Sequence, residues 1–397
     1  MPLKQSELLQ ILNQKQSEFS EFYSRASATH EDYRRALRKV SAQSDTALTE
    51  LLSDYAHPGA RPLETLGNHP NWIVPRNLKW QNREQSLQWV RDRLMGITTF
   101  AVDGSQIFPS KDVAPPIALV QVGWYENPHL PIGNSDSYDK DVRLTVMTPS
   151  ELEVQRNGRS LERQVGMRRF EMEVERLIEF MEDHKGRSDC LVFLDGSLVA
   201  TFAEAFDFEC RAFYAQQCVN LLRASEQNRV PLIGYIDTSH SSDLIQMLQC
   251  LEGTPETTTL HDPQLIGAGM AWGDRTPLFC CDRPGDAWGQ GILAEYEEQS
   301  TNVAFTYLKT NDNPPARLEL PRWIYEAGLL DTVMDYVRGE LIIGGGYPYV
   351  IETADQVAVL QAEDRQLFFR LLQDWAEKSD IPLRFSRKMV SKLMRRR

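Results

Sequence analysis

Two short apolar runs in this chain end in the same three residues, Asp-Gly-Ser. The first is "TFAVDGSQIF" over residues 99–108, and the second is "LVFLDGSLVA" over residues 191–200. Both runs are typical of buried strands, and Asp-Gly is a common turn dipeptide. Neighbouring strands of a sheet lie only about 4.8 Å apart. If the two runs pair, Asp103 and Asp195 converge at one edge of the sheet, and a divalent cation would relieve their repulsion.

The segments around these runs predict a mixed α/β sheet. In chain order they are the first Asp-Gly-Ser strand, the strands "PIALVQVGWYE" and "DVRLTVMT", a helix over about 161–184, the strand "CLVFLDG", a helix over 202–223 and the strand "PLIGYIDTS". Hairpin-linked strands followed by alternating helices favour a mixed sheet over a purely parallel one. The order β-β-β-α-β-α-β is also that of the ribonuclease-H-like fold.

The remaining segments predict a helical region before this core and further elements after it. Apolar residues at helical spacing over residues 3–45 indicate one or two amphipathic helices that need a partner surface, followed by a linker over 57–75 and a helix over 82–94. We therefore expect an N-terminal helical region at 1–95 and a main domain at 96–397. Within the main domain, we predict a helix over about 323–337 and a loop at "IGGGYPYVIETAD".

Composition excludes several classes of protein. No apolar run approaches the roughly 18 residues of a membrane helix, and the N-terminus lacks the apolar stretch of a signal peptide, which favours a cytoplasmic location. The six cysteines form no CxxC pair and the seven histidines form no HExxH motif, so a zinc site is not expected.

Charge is unevenly distributed along the chain. A net charge of −13 argues against general affinity for nucleic acid. The segment "RFSRKMVSKLMRRR" over 384–397, however, has seven basic residues and no acidic one. Two interpretations stay open for this basic tail: a solvated terminus, or an arm that contacts phosphates.

A third carboxylate is available on the helix between the two aspartates. Glu171 and Glu175 lie four residues apart on one face, adjacent to the apolar Val174 and Ile178, whereas Glu173 is assigned to a solvated face. We therefore favour Glu171 as the third member. Oxygen ligands without His or Cys suit Mg²⁺ or Mn²⁺, and the chemistry that this set favours is metal-assisted hydrolysis of phosphodiesters.

From about residue 99 onward, the sequence resembles the NurA nucleases, which accompany the HerA hexameric DNA translocase. Six pieces carry the resemblance in the family's order: "VDGSQ", "FLDGSL", "LIGYIDTSHSSD", "GDRTPLF", "ARLELPRWI" and "GGGYPYVIETADQVAVL". The resemblance implies a ribonuclease-H-like core, a ring-like homodimer and manganese-dependent cleavage of DNA, with Mg²⁺ as the alternative metal. It also implies a role in DNA end resection during double-strand-break repair, together with a HerA-type ATPase. The N-terminal region would then serve in dimer formation or in docking the motor.

The resemblance also assigns residues. Asp103 and Asp195 match the aspartates of the family's first and second motifs, and Tyr347 matches the tyrosine of its last motif. The helix glutamate matches in type and order, and its position stays open between Glu171 and Glu175.

The chain departs from the family at Asp355, where many members have a histidine. An aspartate can still bind a metal through oxygen, directly or through water, so Asp355 stays a candidate ligand. It cannot act as a neutral imidazole ligand, which puts metal preference and cleavage rate in question.

Two other functions remain as alternatives. One is a non-catalytic adaptor of the same fold that docks the motor, for which Asp355 is the best argument. The other is a phosphomonoesterase with Asp103 as the nucleophile, which fits poorly because such families usually have Asp-x-Asp at that position.

Arg317 and Glu319 of the segment "ARLELP" face the same side of a strand. Two interpretations stay open for them: they form a structural pair, or Arg317 holds a phosphate.

Overall fold

The computed structural model describes residues 3–66, 69–131, 138–154, 160–283 and 291–387. Most of the basic tail, residues 388–397, lies outside the described residues, so both interpretations of it stay open. Within the described ranges, no helix has the length and apolar character needed to cross a bilayer.

Helices and strands alternate over most of the chain. The helices are α1 (Gln5–Gln14), α2 (Gln16–Val40), α3 (Asp45–Ser53), α4 (Arg83–Leu94), α5 (Pro149–Val154), α6 (Leu161–Asp183), α7 (Phe208–Asn228), α8 (Asp243–Glu252), α9 (Asp262–Ile266), α10 (Trp323–Glu326), α11 (Leu330–Ile343), α12 (Tyr349–Ala358) and α13 (Ala362–Lys378). The strands are β1 (Gly59–Pro62), β2 (Thr98–Ile107), β3 (Val113–Ala114), β4 (Ala118–Asn127), β5 (Asp139–Met147), β6 (Cys190–Asp195), β7 (Leu232–Ile236), β8 (Phe279–Asp282), β9 (Val303–Leu308), β10 (Ala316–Pro321) and β11 (Arg384–Phe385).

The chain divides into two compact units, and neither is a single continuous segment. The first unit consists of residues 1–79, 236–291 and 304–318, and the second consists of 80–235, 292–303 and 319–397. Helix α4, which we had placed in the N-terminal region, belongs to the second unit. Sequence patterns do not predict this division, because the chain returns twice to the first unit.

The second unit contains the strands that position the candidate site. Five strands lie in the order β7-β6-β2-β4-β5. Strand β6 is parallel to β2 and to β7, whereas β4 is antiparallel to β2 and to β5. The predicted mixed α/β class is confirmed, and this strand order is compatible with the ribonuclease-H-like fold.

The first unit has its own small antiparallel arrangement of β1, β8 and β9. Helix α8 packs against β1, and helices α2 and α3 pack against α8. The Tyr33 hydroxyl of α2 donates a hydrogen bond of 2.7 Å to the Pro255 carbonyl, which ties the start of the chain to this unit.

Helices α6 and α12 both pack on strand β2. On α6, the Phe180 ring stacks on Phe100 of β2 with ring centroids 4.2 Å apart. On α12, the backbone passes so close to β4 that a Cβ at Gly123 would lie 2.7 Å from the Ala358 nitrogen. Only glycine therefore lets α12 lie flat on the sheet at this point.

Three predicted elements were wrong in detail. The second half of the predicted loop "IGGGYPYVIETAD" is helical, because helix α12 begins directly after Pro348 and continues to Ala358. The single helix expected over 323–337 is two helices, α10 and α11, separated by Gly328 at a φ of +72°. Helix α7 begins at Phe208 rather than at 202, because the Asp207 side chain caps it by accepting from the Cys210 nitrogen.

The contact at Gly123 gives a test of how α12 is seated. We expect Gly123→Ala to reduce the free energy of unfolding by about 1–3 kcal/mol, because helix backbone must move to admit the methyl group. The matched control is Gly166→Ala in α6, where a Cβ would meet only the Tyr214 hydroxyl at 3.8 Å. Gly166→Ala should raise the free energy of unfolding by about 0.4–1 kcal/mol, because alanine restricts the unfolded chain more than glycine does. Urea unfolding measures both, and equal effects would contradict the close packing.

Candidate functional site

The two Asp-Gly-Ser aspartates lie at matching positions of adjacent parallel strands. The register of β2 and β6 runs to the pair Val102 and Leu194, one residue before Asp103 and Asp195. Asp195 is the last residue of β6 and is exposed, whereas Asp103 is half-buried. The structure thus brings the two carboxylates together where the parallel pairing of β2 and β6 ends. Strand β2 itself continues to Ile107, so the prediction that Asp103 ends its strand is wrong.

The surroundings of Asp103 disfavour its charged form. Burial, together with the negative charges of Asp355 and Asp195, raises the pKa of Asp103 to about 6, although the Gly104 backbone and Arg169 act in the opposite direction. A carboxylate whose charge is disfavoured by burial and by like charges is a common feature of functional sites.

A glutamate of α6 lies beside this pair, and it is Glu173. Its side chain is only 9% exposed, and burial, with Asp103 and Asp195 adding to it, raises its pKa to about 8. Its Oε1 is buried and accepts no hydrogen bond. A Cβ at residue 104 would lie 2.3 Å from that oxygen. The glycine of the first motif is therefore what admits Glu173.

Our prediction that Glu173 faces solvent is wrong, and the structure does not bring Glu171 to the two aspartates. Glu171 accepts a hydrogen bond of 2.6 Å from Arg168, and Glu175 lies 3.4 Å from the same guanidinium. The signal that could have identified Glu173 is its spacing to Leu177 and Phe180, which are buried residues four and seven positions later. Our prediction relied on the apolar residues Val174 and Ile178 instead, and these indicated a different face of helix α6.

Tyr347 and Asp355 complete the site from the segment that begins helix α12. The Tyr347 hydroxyl donates a hydrogen bond of 3.0 Å to Asp195 Oδ1. Asp355 is exposed and near enough for its charge to raise the pKa of Asp103. We call Asp103, Glu173, Asp195 and Asp355 the acidic cluster.

Two buried glutamates hold the backbone that carries this cluster. Glu319 is fully buried, and its Oε2 accepts hydrogen bonds from the Leu198 nitrogen at 2.7 Å and the Ser197 hydroxyl at 2.7 Å, which fixes the turn after Asp195. Glu340 accepts from the Val350 nitrogen at the start of α12 and from the Thr99 hydroxyl of β2. Sequence reasoning did not identify either role.

Arg317 is not available to a substrate. Its side chain is 1% exposed and donates a hydrogen bond of 2.7 Å to Asp243 within the first unit. The structure therefore supports the structural role for Arg317 over the role of holding a phosphate.

The acidic cluster has the chemistry of an oxygen-preferring cation site. It offers carboxylates only, the buried Glu173 Oε1 accepts no hydrogen bond, and burial together with repulsion between the carboxylates disfavours the charged forms. Across the ranges that the structure describes, no three His, Cys, Asp or Glu side chains already converge as a ligand set. The donor types of the acidic cluster fit a divalent cation.

The raised pKa of Glu173 predicts a pH-dependent effect on stability. Between the ordinary value of 4.5 and about 8, the folded protein binds more protons at Glu173 than the unfolded chain does, so folding stability falls as pH rises. Glu173→Gln removes this loss. In EDTA, the difference in free energy of unfolding between the variant and wild type should therefore shift in favour of the variant by on the order of a few kcal/mol from pH 5 to pH 9.

Thermal unfolding across that pH range measures the gain. Glu171→Gln is the matched control, because its carboxylate pairs with Arg168 away from Asp103, and its difference from wild type should not change between pH 5 and pH 9. The assignment of Glu173 fails if the Glu173→Gln difference is equally flat.

Comparison with known proteins agrees with the motifs. The family model of the NurA domain matches residues 97–360, which is more than half of the chain. A solved structure described as the crystal structure of NurA with manganese is 10% identical, with a TM-score of 0.41, and covers 75% of this chain and 94% of its own. No curated protein matches. On the extent of the family-model match, the chain belongs to the NurA family.

Proposed function

We propose that this protein is a divalent-metal-dependent deoxyribonuclease that hydrolyses phosphodiester bonds. The observation that carries the proposal is the placement of buried Glu173 beside Asp103 and Asp195, where the parallel pairing of β2 and β6 ends. Membership of a family of nucleases supports the same conclusion. Folding stability alone does not explain the cluster, since its like charges disfavour the ionised state.

Hydrolysis requires a bond between a water oxygen and phosphorus, and loss of the bond from phosphorus to one ester oxygen. The products are a phosphate monoester and a free hydroxyl. One proton of the water ends on the leaving oxygen, and the other is released to solvent. A bound Mn²⁺ or Mg²⁺ would supply an activated water and neutralise charge on the leaving oxygen. Asp103, Glu173 and Asp195 would hold the cation, with Asp355 as a further oxygen donor at the rim.

The ionisation of the carboxyl groups in the acidic cluster determines the pH at which the cluster can bind a cation. Oxygen ligands must be deprotonated to bind a cation, so Glu173, whose pKa is about 8, and Asp103, whose pKa is about 6, must release protons as the cation enters. The Tyr347 hydroxyl donates a hydrogen bond to Asp195 Oδ1 and so helps to orient that carboxylate. Cation affinity should therefore rise with pH.

We also propose that the enzyme works in DNA end resection as a homodimer with a HerA-type hexameric ATPase in the cytoplasm. Helices α1 and α2 support a partner at the start of the chain. No side chain of α1 is buried, and Leu9, Phe19 and Tyr23 are large apolar residues exposed to solvent. Such a surface fits a second copy or the motor.

A second candidate is an adaptor with little or no nuclease activity. Asp355 in place of the family histidine favours it, as does the open arrangement of carboxylates within the described residues. The two candidates differ in one measurable property, which is cleavage of DNA by the purified chain.

The nuclease proposal predicts a pattern of variants in a cleavage assay. Asp103→Asn, Asp195→Asn and Glu173→Gln should each lower the rate at least about 100-fold, because even an outer partner of a metal ligand costs about 10–100-fold. End-labelled single- and double-stranded DNA is incubated with Mn²⁺, Mg²⁺ or EDTA. Cleavage should require the cation.

Glu171→Gln is the control, since it makes the same chemical change two residues from Glu173 on a face that pairs with Arg168. It should cleave at a rate near that of wild type. A wild-type chain inactive with both metals favours the adaptor, and full activity in all three cluster variants excludes the site.

A further inference from the structure

One guanidinium lies among the carboxylates of the acidic cluster. Arg169 precedes Glu173 by one helical turn on α6, and its Nε lies 3.4 Å from Glu173 Oε1. Its charge favours ionisation of both Asp103 and Glu173 and so lowers the pKa of each. The cluster therefore contains a fixed positive charge before any cation enters.

The same glycine that admits Glu173 also positions Arg169. A Cβ at Gly104 would lie 2.6 Å from Arg169 Cγ and 2.9 Å from its Cδ. Arg169 Nη1 donates a hydrogen bond of 3.2 Å to the Gly104 carbonyl, which lies directly after Asp103. The Arg169 side chain thus lies against strand β2 at the first Asp-Gly-Ser motif, and its hydrogen bond to the Gly104 carbonyl holds it there.

The guanidinium has donor capacity left over. Its Nε is buried and makes no hydrogen bond, because the geometry to Glu173 is poor. Its Nη2 donates to no residue in the described part of the chain, and the side chain remains 35% exposed. A guanidinium needed only as a counter-ion for Glu173 would be expected to form a direct hydrogen bond with that carboxylate.

We propose that Arg169 binds a non-bridging oxygen of the scissile phosphodiester through its exposed Nη2. This inference rests on the proposed nuclease function and names the residue that receives the substrate. A planar guanidinium matches phosphate oxygens and keeps its charge at every working pH. Among the four carboxylates of the cluster, its positive charge can attract a phosphodiester, and it transfers no proton.

The test compares Arg169→Ala and Arg169→Lys with Arg168→Ala. Arg168 is the adjacent arginine and pairs with Glu171, so its removal makes the same charge change away from the cluster. Affinity for a fluorescein-labelled DNA duplex is measured in EDTA over a series of salt concentrations. Affinity for Mn²⁺ is measured separately without DNA.

For Arg169→Ala we expect the plot of log affinity against log salt to become shallower by about 0.9, which is the value for one lost phosphate contact. Arg169→Lys should retain most of the slope, and Arg168→Ala should match wild type. An unchanged slope in Arg169→Ala with tighter Mn²⁺ binding would overturn the proposal, because Arg169 would then act as a counter-ion only.

The two proposals fail in distinguishable ways. If wild type cleaves DNA but Arg169→Ala keeps the wild-type slope, the role of Arg169 is wrong and the nuclease stands. If wild type binds DNA with the expected Arg169 dependence but cleaves none, the phosphate contact stands and the nuclease function fails. A wild-type chain that neither binds DNA in EDTA nor cleaves it with Mn²⁺ or Mg²⁺ overturns both. Circular dichroism confirms that each variant is folded.

Discussion

The approach of helix α6 to strand β2 at Gly104 is the contact on which the acidic cluster depends. Gly104 has no side chain, and a Cβ there would overlap Glu173 Oε1 and Arg169 Cγ in their present positions. The stacking of Phe180 on Phe100 fixes the helix in this position. Apolar packing therefore stabilises an arrangement of carboxylates that electrostatics alone would push apart.

Other buried carboxylates hold the same region in place. Glu319 accepts hydrogen bonds from the turn after Asp195, and Glu340 accepts one at the N-terminus of α12. A charge in the interior is costly unless it is hydrogen-bonded, and backbone donors at a turn or a helix start are suitable partners. The backbone after Asp195 and before Asp355 is thus held in place by these hydrogen bonds.

Much of this arrangement could be predicted from sequence. Continuous apolar runs followed by Asp-Gly-Ser are local signals, and they predicted that Asp103 and Asp195 lie on adjacent strands. The helix glutamate was harder, because the residue spacing permits more than one buried face, and tertiary packing, including the stacking of Phe180 on Phe100, selects the one with Glu173. Helix α12 was missed because it follows a run of glycines and Pro348, which locally resemble a loop.

The central claim is that Asp103, Glu173 and Asp195 together bind a divalent cation. Anomalous diffraction from crystals soaked in Mn²⁺ tests it most directly. We predict one or two anomalous peaks with oxygen atoms of all three residues at ligand distances of about 2.0–2.6 Å. A peak coordinated by Glu171 or Glu175 instead, or well-ordered density for the three carboxylates with no peak beside them, would contradict the account.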